Sequence, residues 1–167
     1  MPTVTLKGTT VINLAGKMPK AGDKAPDFRL VKQDLSPIAL SDLKGKTVVV
    51  LTVPSLDTPV CQTEAKKFND RASGLTNTTV IVASADSPFA IKRFCAAEGV
   101  QNVHGASDAR DRGFGERWGV AMADGPLQGF LARAAFVVGP DGNVKYAELV
   151  PEIAQEPNYD AILGAAK

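Results

Sequence analysis

The sequence of 167 residues contains few thiol and imidazole side chains, with two cysteines, Cys61 and Cys95, and one histidine, His104. A structural zinc site takes four Cys or His ligands, so this inventory excludes such a site. A framework of several disulfides is excluded for the same reason. The two cysteines allow one disulfide or one redox pair.

The sequence also has no excess of positive or negative charge and no long apolar run. The 19 Lys and Arg residues nearly balance the 18 Asp and Glu residues, so we expect no nucleic-acid partner, which would require a basic excess. The longest apolar run, 134–138, is far shorter than the roughly 20 residues of a membrane helix. Residues 1–8 lack the features of a secretory signal. We therefore expect a cytoplasmic protein without a membrane segment, and in a reducing compartment paired cysteines are more often reactive than structural.

The composition is that of an ordinary globular protein, with 44% hydrophobic and 22% charged residues. A chain of this length suits one domain and is short for two. No repeat, low-complexity tract or long linker interrupts the sequence. We therefore expect residues 1–167 to form a single domain.

Alternating strand and helix patterns predict an α/β fold with a mixed central sheet flanked by helices. Runs of β-branched residues are typical of strands buried on both faces, and apolar residues at spacings of three and four predict helices. A small hairpin is expected at about 3–14. The other predicted strands are 28–31, 47–53, 79–83, 134–138 and 144–150, and the predicted helices are 59–72, 89–98, 111–118 and 159–166.

Cys61 lies where a strand pattern gives way to a helix pattern. The strand ends before Pro54, and Thr58 and Pro59 are residue types preferred at the N-cap and at the first helical position. Cys61 then falls in the first helical turn, where unpaired backbone N–H groups and the helix dipole stabilise the nucleophilic thiolate. The other interpretation is a small buried residue on the inner face of the helix, and the local pattern leaves both open.

Cys95 lies two turns into the next predicted helix, too deep for strong activation by the dipole. The difference between the two thiols suits a division of labour, with Cys61 attacking and Cys95 resolving the oxidised sulfur. A second inert core thiol is the alternative, and the spacing does not reject it.

Several stretches of the sequence resemble the peroxiredoxins. The string Pro54-x-x-x-Thr58-x-x-Cys61 is similar to the peroxiredoxin active-site motif. The segments 84–95 and 123–134 resemble the bacterial thiol peroxidase branch of that family, and the likeness runs from the N-terminal hairpin to residue 160.

The resemblance implies a thioredoxin-like fold with an added N-terminal β-hairpin, and a peroxidase that reduces hydrogen peroxide and organic hydroperoxides. Cys61 matches the peroxidatic cysteine, which is oxidised to a sulfenic acid. Cys95 matches the resolving cysteine, which forms an intrachain disulfide with Cys61 that thioredoxin then reduces. The family needs no haem, flavin or metal, and it tends to form homodimers through the active-site face.

Three further residues match the peroxiredoxin site. Thr58 matches the hydroxyl that hydrogen-bonds the thiolate and the peroxide, Pro54 the proline that shields the pocket from water, and Arg133 the guanidinium beside the sulfur. An arginine keeps its charge at any working pH, so it can stabilise the thiolate and polarise the leaving oxygen.

The chain departs from other peroxiredoxins in two places. Many of them carry an aromatic residue just before the motif proline, where this chain has Thr52-Val53, and this changes the packing expected behind the site. No cysteine follows Cys95, so the two-cysteine option is resolution within the chain.

Two other functions use a cysteine pair. A disulfide oxidoreductase of thioredoxin type needs C-x-x-C, and that spacing is absent. A non-enzymatic thiol redox sensor needs only one pair, and the sequence does not separate it from a peroxidase.

The remaining candidates carry weaker signals. His104 could serve as a base, but a lone histidine beside a glycine is more often solvated or structural. Asp57 and Glu64 lie near the motif but lack the pairing typical of acid–base catalysis. Five apolar side chains are expected to pack in the core, line the site or form a subunit contact: Leu56, Val60, Phe89, Leu127 and Phe130.

Overall fold

The structure, a computed structural model, describes residues 2–167 and contains ten strands and four α-helices within that range. The strands are β1 (Thr3–Leu6), β2 (Thr10–Ala15), β3 (Arg29–Lys32), β4 (Pro37–Ala39), β5 (Thr47–Thr52), β6 (Thr78–Ser84), β7 (His104–Ser107), β8 (Ala121–Met122), β9 (Ala134–Val138) and β10 (Val144–Leu149). The helices are α1 (Pro59–Ala72), α2 (Pro88–Glu98), α3 (Phe114–Arg117) and α4 (Tyr159–Ala166). A 3-10 turn spans Leu40–Leu43.

The central sheet has seven strands in the order β10-β9-β5-β6-β7-β3-β4. Strands β5, β6 and β7 run parallel, and β9 is antiparallel to β5, so the sheet is mixed as predicted. The parallel strands end at one edge of the sheet, and α1 and α2 begin just beyond it. Open α/β sheets usually hold their sites at that edge.

Strand β5 is buried on both faces, as its unbroken β-branched run predicts. Because successive side chains point to opposite faces, Val49 and Leu51 pack in the core that contains α1, α2 and α4. Val48 and Val50 pack in a second core around Trp118, on the other face. The helices therefore flank the sheet on both sides, and α1 is fixed against its centre.

The N-terminal hairpin is present at the predicted position. Strand β1 pairs antiparallel with β2, and β8 adds a third strand that the sequence pattern does not predict. The turn of the hairpin contains Lys7 and Gly8, both with left-handed φ angles of 55° and 70°. This small sheet has its own core, which includes Val4, Ile12 and Ile153.

Strand β7 is missing from the sequence-based prediction because His104-Gly105 is typical of a turn. Helix α2 crosses β7 so closely that a Cβ atom at Gly105 would lie 2.5 Å from Cγ2 of Ile91. The glycine is therefore needed for the close approach of helix and strand.

The helix predicted over 111–118 is shorter in the structure, where α3 covers only Phe114–Arg117. The preceding residues form a turn in which the Phe114 N–H donates to the Asp111 carbonyl. None of the helices within residues 2–167 is long and apolar enough to cross a membrane.

Candidate active site

Cys61 lies in the first turn of α1, as predicted. Thr58 is the N-cap residue, with extended φ and ψ of −110° and 147°, and Pro59 opens the helix. The Cys61 side chain is fully buried. Its sulfur therefore lies at the positive end of the helix and away from bulk water, which strengthens the interaction.

The hydroxyl of Thr58 does not cap the helix, in contrast to what its residue type suggests. It donates instead to the carbonyl of Ser55 at 2.9 Å. At the start of α2, by comparison, the Ser87 hydroxyl accepts from the Ala90 N–H at 3.2 Å. Because the Thr58 hydroxyl donates its proton to the Ser55 carbonyl, the lone pairs of its oxygen can accept a hydrogen bond from another donor.

Asp86 holds the loop between β5 and α1. Its Oδ1 accepts from the Ser55 hydroxyl at 2.7 Å, and its Oδ2 accepts from the Leu56 N–H at 2.8 Å and from the Ser84 hydroxyl at 2.9 Å. No motif in the sequence singles out Asp86. Its position just after the strand beside β5 was the available signal, because neighbouring parallel strands end at the same edge.

Arg133 joins the elements of the site. Its Nη2 lies 3.2 Å from the sulfur of Cys61, and its Nη1 donates to Oε2 of Glu64 at 2.7 Å. Nε and Nη2 also donate to the carbonyl of Ile153 at 3.0 and 2.9 Å. The side chain is 1% exposed, so these acceptors replace water around the buried charge. Burial opposes the charged form, but Cys61 and Glu64 outweigh it and raise the pKa of Arg133 further.

Glu64 is the partner of Arg133 rather than a member of an acid–base pair. It lies one helical turn after Cys61 and is fully buried. Burial raises the pKa of Glu64 to about 7, although the adjacent guanidinium acts in the other direction. Its Oε1 has no hydrogen-bond partner, which is consistent with the high cost of the charged form. A carboxylate within an otherwise apolar helix stripe was the sequence signal for a buried ion pair.

A cavity of about 320 Å³ lies beside Arg133, whose Nη2 contacts the Cys61 sulfur, although Cys61 itself is not among the lining residues. Pro54, Thr58 and Arg133, predicted as separate site residues, line it together. Its other walls are mostly apolar and include Val60, Leu127 and Phe130 from the predicted apolar set, with Leu6 from the hairpin. Two members of that set lie elsewhere: Leu56 is buried in the core and Phe89 is 70% exposed.

Cys95 is buried in the same core as Cys61, and both are free thiols. Burial raises the pKa of the Cys95 thiol. Cys95 does not line the cavity beside Arg133 but a separate one of about 330 Å³, near Lys92 and Gln101. The two thiols therefore lie beside different cavities, and only the Cys61 sulfur contacts a guanidinium.

The weaker candidates lie outside this cluster. His104 is exposed and begins β7, at the opposite edge of the sheet from Cys61. Asp57 is exposed and faces Arg93 at 3.7 Å. Within residues 2–167 no group of three or more His, Cys, Asp or Glu side chains is placed to hold a metal ion.

The chain matches a known protein family over most of its length. The Redoxin family matches residues 20–163 of the chain. The chain belongs to the redoxin family.

Relatives of this redoxin carry the name thiol peroxidase. This chain is 50% identical to the thiol peroxidase from Leptospira interrogans, over 99% of this chain and 98% of the relative. It is 52% identical to the thiol peroxidase from Mycobacterium bovis, over the same shares of the two chains. The crystal structure of a peroxiredoxin-like protein from Aquifex aeolicus is 46% identical, with a TM-score of 0.94, and the match covers 99% of this chain and 96% of that one. These likenesses confirm the thioredoxin-like fold and place this redoxin in the thiol peroxidase branch of the peroxiredoxins.

Proposed function

We propose that this thiol peroxidase reduces hydroperoxides with the sulfur of Cys61. The thiolate attacks the terminal oxygen of the peroxide, the O–O bond breaks, and water or an alcohol leaves after taking up a proton. Cys61 becomes a sulfenic acid. The observation that carries this proposal is the 3.2 Å contact between the buried sulfur and Nη2 of Arg133 at the start of α1.

Arg133 contributes through its charge. A cation at this distance stabilises the thiolate before attack and the developing charge on the leaving oxygen during it. Because the site is buried, the interaction is less screened than at the surface. Replacing Arg133 with Gln is expected to lower the rate constant of Cys61 with peroxide by about 10²- to 10³-fold.

Arg93 offers a matched control for that change. It is an exposed arginine whose carboxylate partner, Asp57, lies on the same loop as Thr58. Stopped-flow measurement of peroxide consumption in Arg93→Gln should stay within about twofold of wild type, because surface ion pairs contribute little. Equal losses in the two variants would contradict the role of Arg133.

Thr58 and Pro54 complete the peroxide site. The Thr58 hydroxyl donates its proton to the Ser55 carbonyl and lines the cavity, which supports a role for its oxygen as acceptor of a hydrogen bond from the peroxide O–H. Pro54 is buried, has no N–H group, and presents an apolar wall that keeps water from the thiolate.

The substrates we propose are hydrogen peroxide and organic hydroperoxides. A cavity of about 320 Å³ with mostly apolar walls has room for more than the peroxide group itself. An alkyl chain bound there would gain roughly 0.8 kcal/mol for each CH₂ group removed from water.

Cys95 is proposed as the resolving cysteine. Its thiol attacks the Cys61 sulfenic acid, water leaves, and an intrachain disulfide forms. Burial keeps Cys95 mainly in its thiol form, so it competes poorly with Cys61 for peroxide. Thioredoxin, the proposed reductant, would then return both residues to thiols and leave with the disulfide.

The proposed assembly is a homodimer in the cytoplasm. Phe89 and Phe130 are 70% and 38% exposed, and Phe130 also lines the cavity. The exposed apolar ring of Phe130 beside the cavity supports a contact with a second copy through the active-site side of the molecule. Light scattering during size-exclusion chromatography tests the dimer, and a monomer at working concentration would contradict it.

Steady-state assays with hydrogen peroxide and a thioredoxin system test the chemistry. Cys61→Ser should abolish turnover, whereas Cys95→Ser should react once with peroxide and recycle poorly. Unchanged turnover in Cys61→Ser would refute the proposal. A peroxide rate constant for wild-type Cys61 no faster than that of a free thiol would favour the redox sensor instead.

A further inference from the structure

The N-terminal hairpin is bonded to the segment that holds the Arg133 guanidinium. The Thr5 N–H donates to the carbonyl of Pro151 at 2.8 Å, and the Ile153 N–H donates back to the carbonyl of Thr5 at 2.9 Å. Thr5 and Glu152 also pair as a parallel β-bridge. The carbonyl of Ile153 is the acceptor for both Nε and Nη2 of Arg133.

Glu152 fastens this junction through its side chain. Its Oε1 accepts from the Lys7 N–H and its Oε2 from the Gly8 N–H, both at 3.0 Å. The Thr5 hydroxyl donates to the same carboxylate. The left-handed φ angles of Lys7 and Gly8 turn successive N–H groups toward one side, which makes a concavity suited to an anion. The Thr5 hydroxyl, with these N–H groups, lowers the pKa of Glu152, so the carboxylate is charged at neutral pH.

We infer that Glu152 is a positioning residue for the peroxidase reaction, acting through the hairpin turn and the Ile153 carbonyl to hold Arg133 against Cys61. The three links are consecutive. Glu152 fixes the backbone of the 151–153 segment to the turn, the adjacent carbonyl binds Nη2, and the same nitrogen contacts the sulfur. The hairpin added to the thioredoxin-like fold therefore belongs to the active site, and Leu6 from the same hairpin lines the cavity. This inference rests on the proposed roles of Cys61 and Arg133.

Glu152→Ala tests the inference. Loss of the carboxylate frees the turn and lets the Ile153 carbonyl move, so Arg133 spends less time at the sulfur. Displacements of about 1 Å can cost about 10²-fold in rate, and we expect a loss on the order of tenfold in the rate constant of Cys61 with peroxide. The pH profile of Cys61 alkylation by iodoacetamide should move toward higher pH, because the thiolate loses part of its stabilisation. Glu152→Gln keeps one acceptor oxygen and should give an intermediate result in both measurements.

Asp124→Ala is the matched control. Asp124 also anchors the hairpin, with its two oxygens accepting from the backbone N–H and the side-chain amide of Asn13 at 3.0 and 2.7 Å. These bonds hold β2 and do not reach the 151–153 segment. Asp124→Ala should lower the melting temperature by an amount similar to Glu152→Ala while leaving the alkylation profile unchanged.

Each outcome decides between a positioning role and general loosening. A wild-type alkylation profile in folded Glu152→Ala would overturn the inference, and so would an equal shift in Asp124→Ala. If Glu152→Ala does not fold, Thr5→Val removes only the hydroxyl donor, and unchanged profiles in Thr5→Val and Glu152→Gln would overturn it. Alkylation needs no peroxide, so slow peroxide consumption by the wild type would refute the proposed function separately.

Discussion

At the scale of single residues, the site depends on one buried guanidinium. Arg133 is stable in the core only because Cys61, Glu64 and the Ile153 carbonyl accept hydrogen bonds from its N–H groups. Removing any one partner of a buried charge is far more costly than losing a surface ion pair. The same arrangement makes Cys61 and Glu64 compete for a single positive charge.

That competition predicts how Glu64→Gln changes the reactivity of Cys61 with pH. The pKa of Glu64 is raised to about 7 by burial, so below this pH the wild-type side chain is mainly neutral, like glutamine. Above this pH, the charged Glu64 carboxylate partly neutralises the positive potential of Arg133 and so destabilises the Cys61 thiolate. Gln keeps the acceptor for Nη1 and carries no charge at any pH.

The ratio of alkylation rates, Glu64→Gln over wild type, is therefore expected to be near one below about pH 6 and to rise a few-fold above pH 7. Iodoacetamide kinetics in the Cys95→Ser background isolate the Cys61 signal. A ratio below one at every pH would contradict the competition and indicate that Glu64 only positions Arg133.

Sequence reasoning locates some of these residues and not others, for a physical reason. Thr58, Pro59 and Cys61 are neighbours in the chain, so the rules of helix starts place them directly. Arg133 lies 72 residues from Cys61 and has no local pattern of its own. Only the family resemblance points to it, because the contact is made by tertiary packing.

At the scale of elements, the packing of α2 on β7 sets the environment of Cys95. A Cβ atom at Gly105 would lie 2.5 Å from Cγ2 of Ile91 and 3.7 Å from the sulfur of Cys95. The sequence does not predict strand β7, because glycine is a turn former in most contexts. Strands β5, β6 and β9 are predictable, since unbroken runs of β-branched or apolar residues indicate strands that are buried on both faces.

Gly105→Ala is expected to destabilise the protein by about 1–3 kcal/mol, because the new methyl group overpacks the contact with α2. Urea unfolding followed by circular dichroism measures the change. Ile91→Ala removes the opposing Cγ2 atom, so the double variant should lose less stability than the sum of the two single variants. Strict additivity would contradict the close contact.

At the scale of the whole molecule, one core contains both cysteine sulfurs. Cys61 on α1 and Cys95 on α2 are buried on the same face of the sheet as free thiols. Two helix-borne cysteines usually need some helix unwinding before their Cα atoms come within about 7 Å, the limit for a disulfide. The proposed disulfide would therefore require the packed core to open around α1 and α2, and strain in the oxidised form would favour its reduction.

In the proposed reaction, peroxide oxidises Cys61 and Cys95 then resolves the sulfenic acid within the same chain. Intact-protein mass spectrometry after one equivalent of hydrogen peroxide tests this most directly. The wild type should lose two hydrogens, and Cys95→Ser should gain one oxygen atom, located on Cys61. Both thiols remaining unmodified in the wild type would contradict it.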